Sequence, residues 1–368
     1  MKYYQPVNVM FGTGMAANVG ELMKENGLDR ALMIADPFNV RSGLAQKIKD
    51  ASDGRILDVI SDVEPNPSVA NINACAKRAE EIGAKCVVAV GGGSAMDCAK
   101  STAVAVQCHC TGADLIEGFA FDQALPVIAI PTTAGTGSEV TAGAVISDKE
   151  KGVKVAIFGT AIFPTLAIVD PELTYSCPPS VTSRSGIDVI AHALDAMTSV
   201  KANAITDTLA VQAAKLAFQN LERAVENGED REARDQMSLA CVTAGLAFSQ
   251  TGTTGSHACS YILTSKYQIP HGEACAFTLE HWLRENVKVK PELETYAREI
   301  GFSDLETLCG KIREMKEKFG FKITLADAGI SLDELDEVVD SSMASGNMSN
   351  NIAQIGREGV KNLFLNLR

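Results

Sequence analysis

The sequence predicts an α/β domain built on a parallel sheet, followed by an all-helical domain. Two observations carry that expectation. In the first half, short continuously apolar runs rich in β-branched residues alternate with helical patterns. Such runs suit strands covered on both faces, as in parallel sheets. From about Thr182 onward the strand signals stop and long amphipathic patterns take over. The boundary falls near Pro178-Pro179, giving domains of residues 1–178 and 179–368.

In chain order, ALMIAD (31–36), ILDVI (56–60), KCVVAV (85–90) and PVIAI (126–130) read as strands. VANINACAKRAEEIG (69–83) and SAMDCAKSTAVAVQ (94–107) read as the helices between them. Past the boundary, helices are expected over residues 187–200, 207–227, 233–248, 274–287, 305–320 and 332–346.

Three features of the first domain point to a nucleotide. VVAVGGGSAMDCAK runs from a strand through three glycines into a helix. Glycines let a ligand approach the backbone, and the free N–H groups of a helix start suit a pyrophosphate. The spacing differs from G-x-G-x-x-G, so that fingerprint is not the argument. AIPTTAGTGSEVTAG also follows a strand, and it sets Thr132, Thr133, Thr136, Ser138 and Thr141 within ten positions. In open parallel sheets ligands bind at this strand edge. Asp36 ends the first strong strand, where a carboxylate accepts from a ribose 2′-OH and repels a 2′-phosphate, favouring NAD over NADP. Each feature taken singly has a plainer alternative, a tight turn without a ligand. Together they predict a Rossmann-like nucleotide-binding domain.

The second domain holds a candidate metal set. Three of the chain's five histidines fall between positions 188 and 271, with one carboxylate. Asp188 and His192 lie four apart in an Ala-rich helical pattern and share a face. His257 stands in GTTGSHACSYILT, and His271 follows Pro270 at a turn or helix start. Imidazole with carboxylate suits Fe²⁺ or Zn²⁺; the alternative is satisfied core histidines. Cys108-His109-Cys110 reads as a helix end, because no second Cys/His pair stands at zinc-site spacing.

Composition narrows the partners. With 368 residues, 46% of them apolar, and a net charge of −13, no surplus of cations meets nucleic acid or an anionic membrane. Ten cysteines spread through apolar runs suit buried thiols in a reducing, cytoplasmic setting. The N-terminal MKYYQPVNVMFGTG has no apolar signal-peptide region, and the apolar stretch 155–169 is too short for a membrane span.

Taken together, the motifs resemble the iron-containing (group III) alcohol dehydrogenase family, of dehydroquinate synthase-like fold. GGGSAMDCAK is similar to the family's GGGSxxDxAK, PTTAGTGSEVT to its PTTxGTGSEvT, and SGIDVIAHALDA to its tGlDAlxHAxEa. AGLAFSQTGTTGSHACSYILTSKYQIPHGEACA resembles its glycine- and histidine-bearing signature. The resemblance implies an NAD-binding α/β domain and a helical domain holding one divalent metal, Fe²⁺ first and Zn²⁺ second. The implied ligands are Asp188, His192, His257 and His271. The pyrophosphate would lie on Gly92, Gly93 and Ser94 with Asp97 nearby. Thr132, Thr133, Thr136 and Thr141 would line the nicotinamide half, Lys154 its ribose, and Asn66 the adenosine side. Many members carry a histidine four residues after the third ligand. Here that position is Tyr261, so its hydroxyl, a ribose hydroxyl or water is left to relay the proton.

The implied activity is hydride exchange between NAD(H) and a small aldehyde or its primary alcohol, in a homodimer or larger homo-oligomer. Arg184, one turn before Asp188, and Lys266 are candidates for an acidic aldehyde such as sulfoacetaldehyde, phosphonoacetaldehyde or a semialdehyde; solvated surface charge is the alternative. Two rivals remain: a dehydroquinate synthase-like lyase, and a non-catalytic NAD-binding module. The first wants a richer basic pocket; the second tolerates loss of ligands that are all present.

Overall fold

A computed structural model describes residues 2–149, 151 and 153–367. The chain divides into a unit of Gln5–Tyr175 and a unit running from Ser176 onward that also takes in the first residues of the chain.

The first unit holds β1 (Asn8–Phe11), β2 (Ala31–Ala35), β3 (Ile56–Ile60), β4 (Cys86–Gly91), β5 (Val127–Pro131), β6 (Gly143–Asp148), β7 (Val153–Phe158) and β8 (Leu166–Val169). Its helices are α1 (Val19–Glu25), α2 (Pro37–Arg41), α3 (Leu44–Asp50), α4 (Val69–Glu81), α5 (Gly93–Cys108) and α6 (Gly112–Ile116). Six strands form one parallel sheet in the order β1-β8-β5-β4-β2-β3. The order reverses between β2 and β4, as it does at the ligand-binding switch point of doubly wound sheets. Alternate residues of each strand feed opposite faces. Met33, Ala35, Val88 and Val90 pack with Val19, Met23 and Ile48. Leu32, Ile34, Val87 and Ala89 pack with Cys75, Ala79, Met96 and Ala99. Helices thus cover both faces, which is why the strands read as unbroken apolar runs.

β6 and β7 form a separate antiparallel pair. The sequence did not mark them, nor β1 or β8. The apolar stretch 155–169 contains the end of β7, a short helical turn at Thr160–Ile162 and β8. Gly159 and Pro164 divide it, so strand and turn signals merge into one run.

The second unit is helical: α7 (Pro179–Met197), α8 (Ala204–Glu226), α9 (Arg231–Thr251), α10 (Gly255–Ser265), α11 (His271–Phe277), α12 (Leu279–Asn286), α13 (Leu293–Ile300), α14 (Leu305–Lys318), α15 (Leu335–Ala344) and α16 (Gly356–Leu365). The single helix expected over 274–287 is in fact two, parted at Thr278. The buried Lys316 ammonium donates to the carbonyls of Ala276 at 3.1 Å and Phe277 at 3.4 Å, giving the end of α11 a partner outside its own ladder. No helix among the described residues is long and apolar enough to cross a membrane, and none of the ten cysteines is in a disulfide.

Candidate functional site

In the α/β unit the three loops singled out above follow β2, β4 and β5, which are hydrogen-bonded neighbours. Their carboxyl ends therefore share one edge of the sheet. The Gly92 N–H donates to Asp36 Oδ2 at 2.9 Å, tying the end of β2 to the start of α5. Burial raises the Asp36 pKa, and the Gly92 hydrogen bond works against it. Gly92 is the N-cap of α5 and supplies no side-chain cap; its carbonyl accepts from the Ala95 N–H at 3.1 Å, and the helix ladder does not use the N–H groups of Gly93 and Ser94. At Gly93 a Cβ would lie 2.8 Å from Thr136 Cγ2, so the glycine lets the two loops close on each other. Ser94 Oγ accepts from the Asn66 N–H at 3.2 Å, and Thr132 Oγ1 accepts from Asn39 Nδ2 at 3.3 Å. Thr133 borders Gly92, its Oγ1 3.3 Å from where a Cβ would stand.

Lys100 was missed by the sequence reading, although it closes the quoted GGGSAMDCAK motif. Its side chain is fully buried, and Nζ donates to the carbonyls of Ser138 at 2.7 Å, Thr141 at 2.9 Å and Gly143 at 2.9 Å. Burial pushes it down to about 8, while Asp97 and Glu139 pull the other way. Asp97, one turn earlier on α5, accepts from the Val145 N–H at 3.1 Å and Ser138 Oγ at 3.3 Å. Burial pushes its carboxyl up to about 6, against Lys100 and, more weakly, Lys154 on β7. Asp97, Lys100, Ser138 and Thr141 thus belong to one polar network.

In the helical unit three of the four metal candidates, Asp188, His257 and His271, converge, and His192 lies outside their group. One ligand atom each from Asp188, His257, His271 and Cys275 lie within 4.8 Å of one another. His257 Nε2 stands 3.6 Å from Asp188 Oδ1, beyond hydrogen-bond reach. Both atoms are buried with no hydrogen-bond partner, as is His192 Nδ1. His192 Nδ1 is 3.9 Å from Asp188 Oδ2, and its ring stacks on His257 at 4.6 Å and on Phe248 at 4.2 Å. His271 meets His257 edge-on at 5.6 Å. Buried acceptors without partners are rare and want an explanation. A divalent cation supplies it, and the oxygen and imidazole donors suit one.

The helices bring these donors together for local reasons. Asp188, His192 and Asp195 follow i, i+4, i+7 spacing and share one face of α7. Asp195, also missed by the sequence reading, binds α10 to α7. Its Oδ2 accepts the Thr254 N–H at 2.7 Å and lies 2.8 Å from His257 Nδ1; its Oδ1 accepts from Ser256 Oγ at 2.8 Å. That carboxylate leaves His257 Nε2 facing Asp188. Gly272 lets α11 lie against α7: a Cβ there would stand 1.9 Å from the Arg184 carbonyl oxygen. Burial pushes His192 down to about 4, against Asp188. For His257 burial acts downward too, but Cys275, Asp188 and Asp195 outweigh it and raise its pKa. For Asp188 burial acts upward, and His192 and His271 overcome it, holding the carboxyl below its ordinary range.

The remaining candidates sit further out. Tyr261 is one turn beyond His257 on α10, exposed, its hydroxyl accepting from Asn347 Nδ2 at 2.8 Å. Arg184 is exposed on α7, with Nε 3.4 Å from the buried Glu273 carboxylate. Lys266 is paired with Glu334 at 3.0 Å and Glu337 at 2.6 Å.

Residues 6–171 match the iron-containing alcohol dehydrogenase family, and residues 182–367 match the C-terminal domain of the Fe-containing alcohol dehydrogenase family. The chain is 33% identical to alcohol dehydrogenase 4 of Schizosaccharomyces pombe, over 98% of this chain and 88% of that protein. It is 39% identical to a 1-propanol dehydrogenase of Salmonella typhimurium, over 72% of this chain and 69% of that protein. Among solved structures, the sulfoacetaldehyde reductase of Bifidobacterium kashiwanohense in complex with NAD⁺ superposes with a TM-score of 0.96. The two chains are 40% identical, and the match covers 100% of this chain and 98% of the other.

Proposed function

Since the chain belongs to the iron-containing alcohol dehydrogenase family, we propose that it reduces a small aldehyde to the primary alcohol with NADH, using one divalent metal ion. The observation that carries the reading is the group of buried Asp188 and His257 with half-buried His271, in which Asp188 Oδ1 and His257 Nε2 are left without partners. Asp188, His192, His257 and His271 would hold the ion, Fe²⁺ or Zn²⁺. When bound, such an ion supplies Lewis acidity toward the aldehyde oxygen. The reduced nicotinamide supplies the hydride.

The chain's own residues do the rest. The N–H groups at Gly93 and Ser94 bind the pyrophosphate at the start of α5. Asp36 accepts from the adenosine ribose 2′-OH and disfavours NADP(H), because a phosphate beside a part-buried carboxylate goes unpaired. Asn66 borders the adenosine side. Thr132, Thr133, Thr136 and Thr141 line the nicotinamide half, with Lys154 toward its ribose. Asp195 fixes the His257 ring through Nδ1. Tyr261, part-exposed and held by Asn347 at its hydroxyl, hands the proton to the product oxygen. The balance is aldehyde plus NADH plus one proton to alcohol plus NAD⁺.

We extend the reading to an acidic aldehyde, with sulfoacetaldehyde first. The support is the 40% identical sulfoacetaldehyde reductase and Arg184, one turn from Asp188. Lys266 is paired with two glutamates and Arg184 with Glu273 at 3.4 Å; the extension rests on Arg184 for its place one turn before Asp188. An assay of sulfoacetaldehyde, phosphonoacetaldehyde and propanal with NADH and NADPH tests it, alongside Arg184→Ala. Loss of one charge-assisted contact removes about 1.5–3 kcal/mol, so KM for the anionic aldehydes should rise roughly ten- to a hundredfold and that for propanal should not. Equal effects on both would refute the acidic extension. Equal kcat/KM with both cofactors would refute the NAD preference. No turnover of any aldehyde or alcohol would refute the function.

A further inference from the structure

We infer that Asn347 is a positioning residue for the proton step. Its side-chain amide folds the Tyr261 hydroxyl back over the turn that carries His257, and leaves the hydroxyl proton free to be delivered. This rests on the relay role proposed above for Tyr261.

Asn347 Nδ2 donates to Tyr261 Oη at 2.8 Å and to Thr253 Oγ1 at 2.9 Å. Thr253 precedes α10, Tyr261 stands two turns further on, and His257 lies midway between them. A helix rises about 1.5 Å per residue. Two hydroxyls that share one nitrogen across that span therefore draw the tyrosine ring back along α10. Helical side chains lean toward the N-terminus, and this one leans over the turn of His257. Asn347 is itself held in place. It lies between α15 and the short helical turn Met348–Asn350. Asn350 Nδ2 donates to the carbonyls of Thr251 at 2.7 Å and Thr253 at 2.9 Å, and Asn350 Oδ1 accepts from Ser199 Oγ at 3.2 Å. The segment carrying Asn347 is thereby pinned to the start of α10.

An amide NH2 carries two protons and only donates. With one proton on each hydroxyl, Tyr261 Oη is an acceptor, and its own proton has no acceptor among the described residues. In the reductive direction the Tyr261 O–H bond breaks and an O–H bond forms on the product oxygen. The part-exposed phenolate then takes a proton from solvent, and the tyrosine is not oxidised. As negative charge develops on Oη, the Asn347 N–H becomes a charge-assisted donor, stronger than a neutral one. It therefore acts most while the proton is leaving. A carboxylate in its place could only accept, and would hold the tyrosine proton back.

Single-turnover oxidation of NADH by saturating propanal, on the metal-loaded protein and its variants, tests this. Tyr261→Phe should slow it by the roughly 10²–10⁴-fold that a positioned acid contributes. Asn347→Leu should slow it roughly ten- to a hundredfold, as for one hydrogen bond to a charged group. The steady-state KM for propanal, the NADH affinity and the metal content should stay as they are. Asn347→Asp, of the same size, should slow the reaction at least as far, because its carboxylate takes the tyrosine proton. In the Tyr261→Phe background neither Asn347 substitution should add a further loss. If Asn347→Leu does not fold, Asn347→Asp decides alone. A full rate in Asn347→Asp, or a further loss in the Tyr261→Phe background, would overturn the positioning role and leave Tyr261 as the relay. An unchanged rate in Tyr261→Phe would overturn the relay, and the role of Asn347 with it.

Discussion

At the scale of single residues, the site turns on how the lone pairs of Asp188 and His257 are aimed. Asp188 Oδ1 and His257 Nε2 face each other at 3.6 Å without a bond. Asp195 makes that arrangement specific, because its bond to His257 Nδ1 selects the tautomer whose Nε2 is free. Asp195→Asn keeps the shape and, with its amide oxygen toward Thr254 N–H and His257 Nδ1, turns the Ser256 bond round so that the amide NH2 donates to Ser256 Oγ, and it removes the charge. We predict a metal affinity lower by roughly 10–100-fold, measured by chelator competition, with circular dichroism unchanged. An unaltered affinity would show that Asp195 only joins helices. The grouping of Asp188, His257 and His271 was legible because few residue types bind such an ion and their order matched known motifs; His192, read from the same motif, lies outside that group. Asp195 stood in the same quoted motif and was passed over. Its partner is 62 positions away, and no local spacing announces that contact.

At the scale of elements, two close approaches decide whether the loops and helices can hold their residues. The first is α11 against α7. Gly272→Ala would drive a Cβ to 1.9 Å from the Arg184 carbonyl oxygen, so α11 must move and carry His271 with it. We predict loss of bound metal, read by elemental analysis, although no ligand is changed. Full retention of one ion per chain would contradict the packing argument. The second is α5 against the loop after β5. The Lys100 ammonium is buried and shared by three backbone carbonyls. Lys100→Met would leave those acceptors unpaired and Asp97 without its nearest buried cation. Breaking such a pair costs about 3–5 kcal/mol, or a Tm fall on the order of 10 °C for a domain of this size. NADH should bind more weakly while metal content stays unchanged, which separates the two units. Strands β2, β4 and β5 were legible because each is buried on both faces, and β3, half-buried at the sheet's edge, because of its β-branched run ILDVI. β1, β6, β7 and β8 were not, because they are short or merge with flanking turns. Lys100 was hidden for a different reason: a lysine in a helix reads as solvent-facing until its carbonyl partners are seen.

At the scale of the whole molecule, the order of motifs along the chain was more informative than any one of them. The parallel sheet, its glycine-rich turns and the change to helices near residue 176 follow from patterns of burial. The substrate does not, because both candidate cations are already paired, Lys266 with Glu334 and Glu337 and Arg184 with Glu273. The central claim is that a single divalent ion in the helical unit is needed for NADH-dependent aldehyde reduction. A ligand that binds only the folded state adds about 2.7 kcal/mol at a hundred times its Kd, so the ion should also raise the Tm. The direct measurement is to strip the protein with a chelator, confirm that NADH still binds, and titrate Fe²⁺ or Zn²⁺ back anaerobically. Aldehyde reduction and Tm should return together and saturate at one ion per chain, and Asp188→Ala should abolish both responses. Full activity in the stripped protein, or restoration that Asp188→Ala leaves intact, would contradict the account.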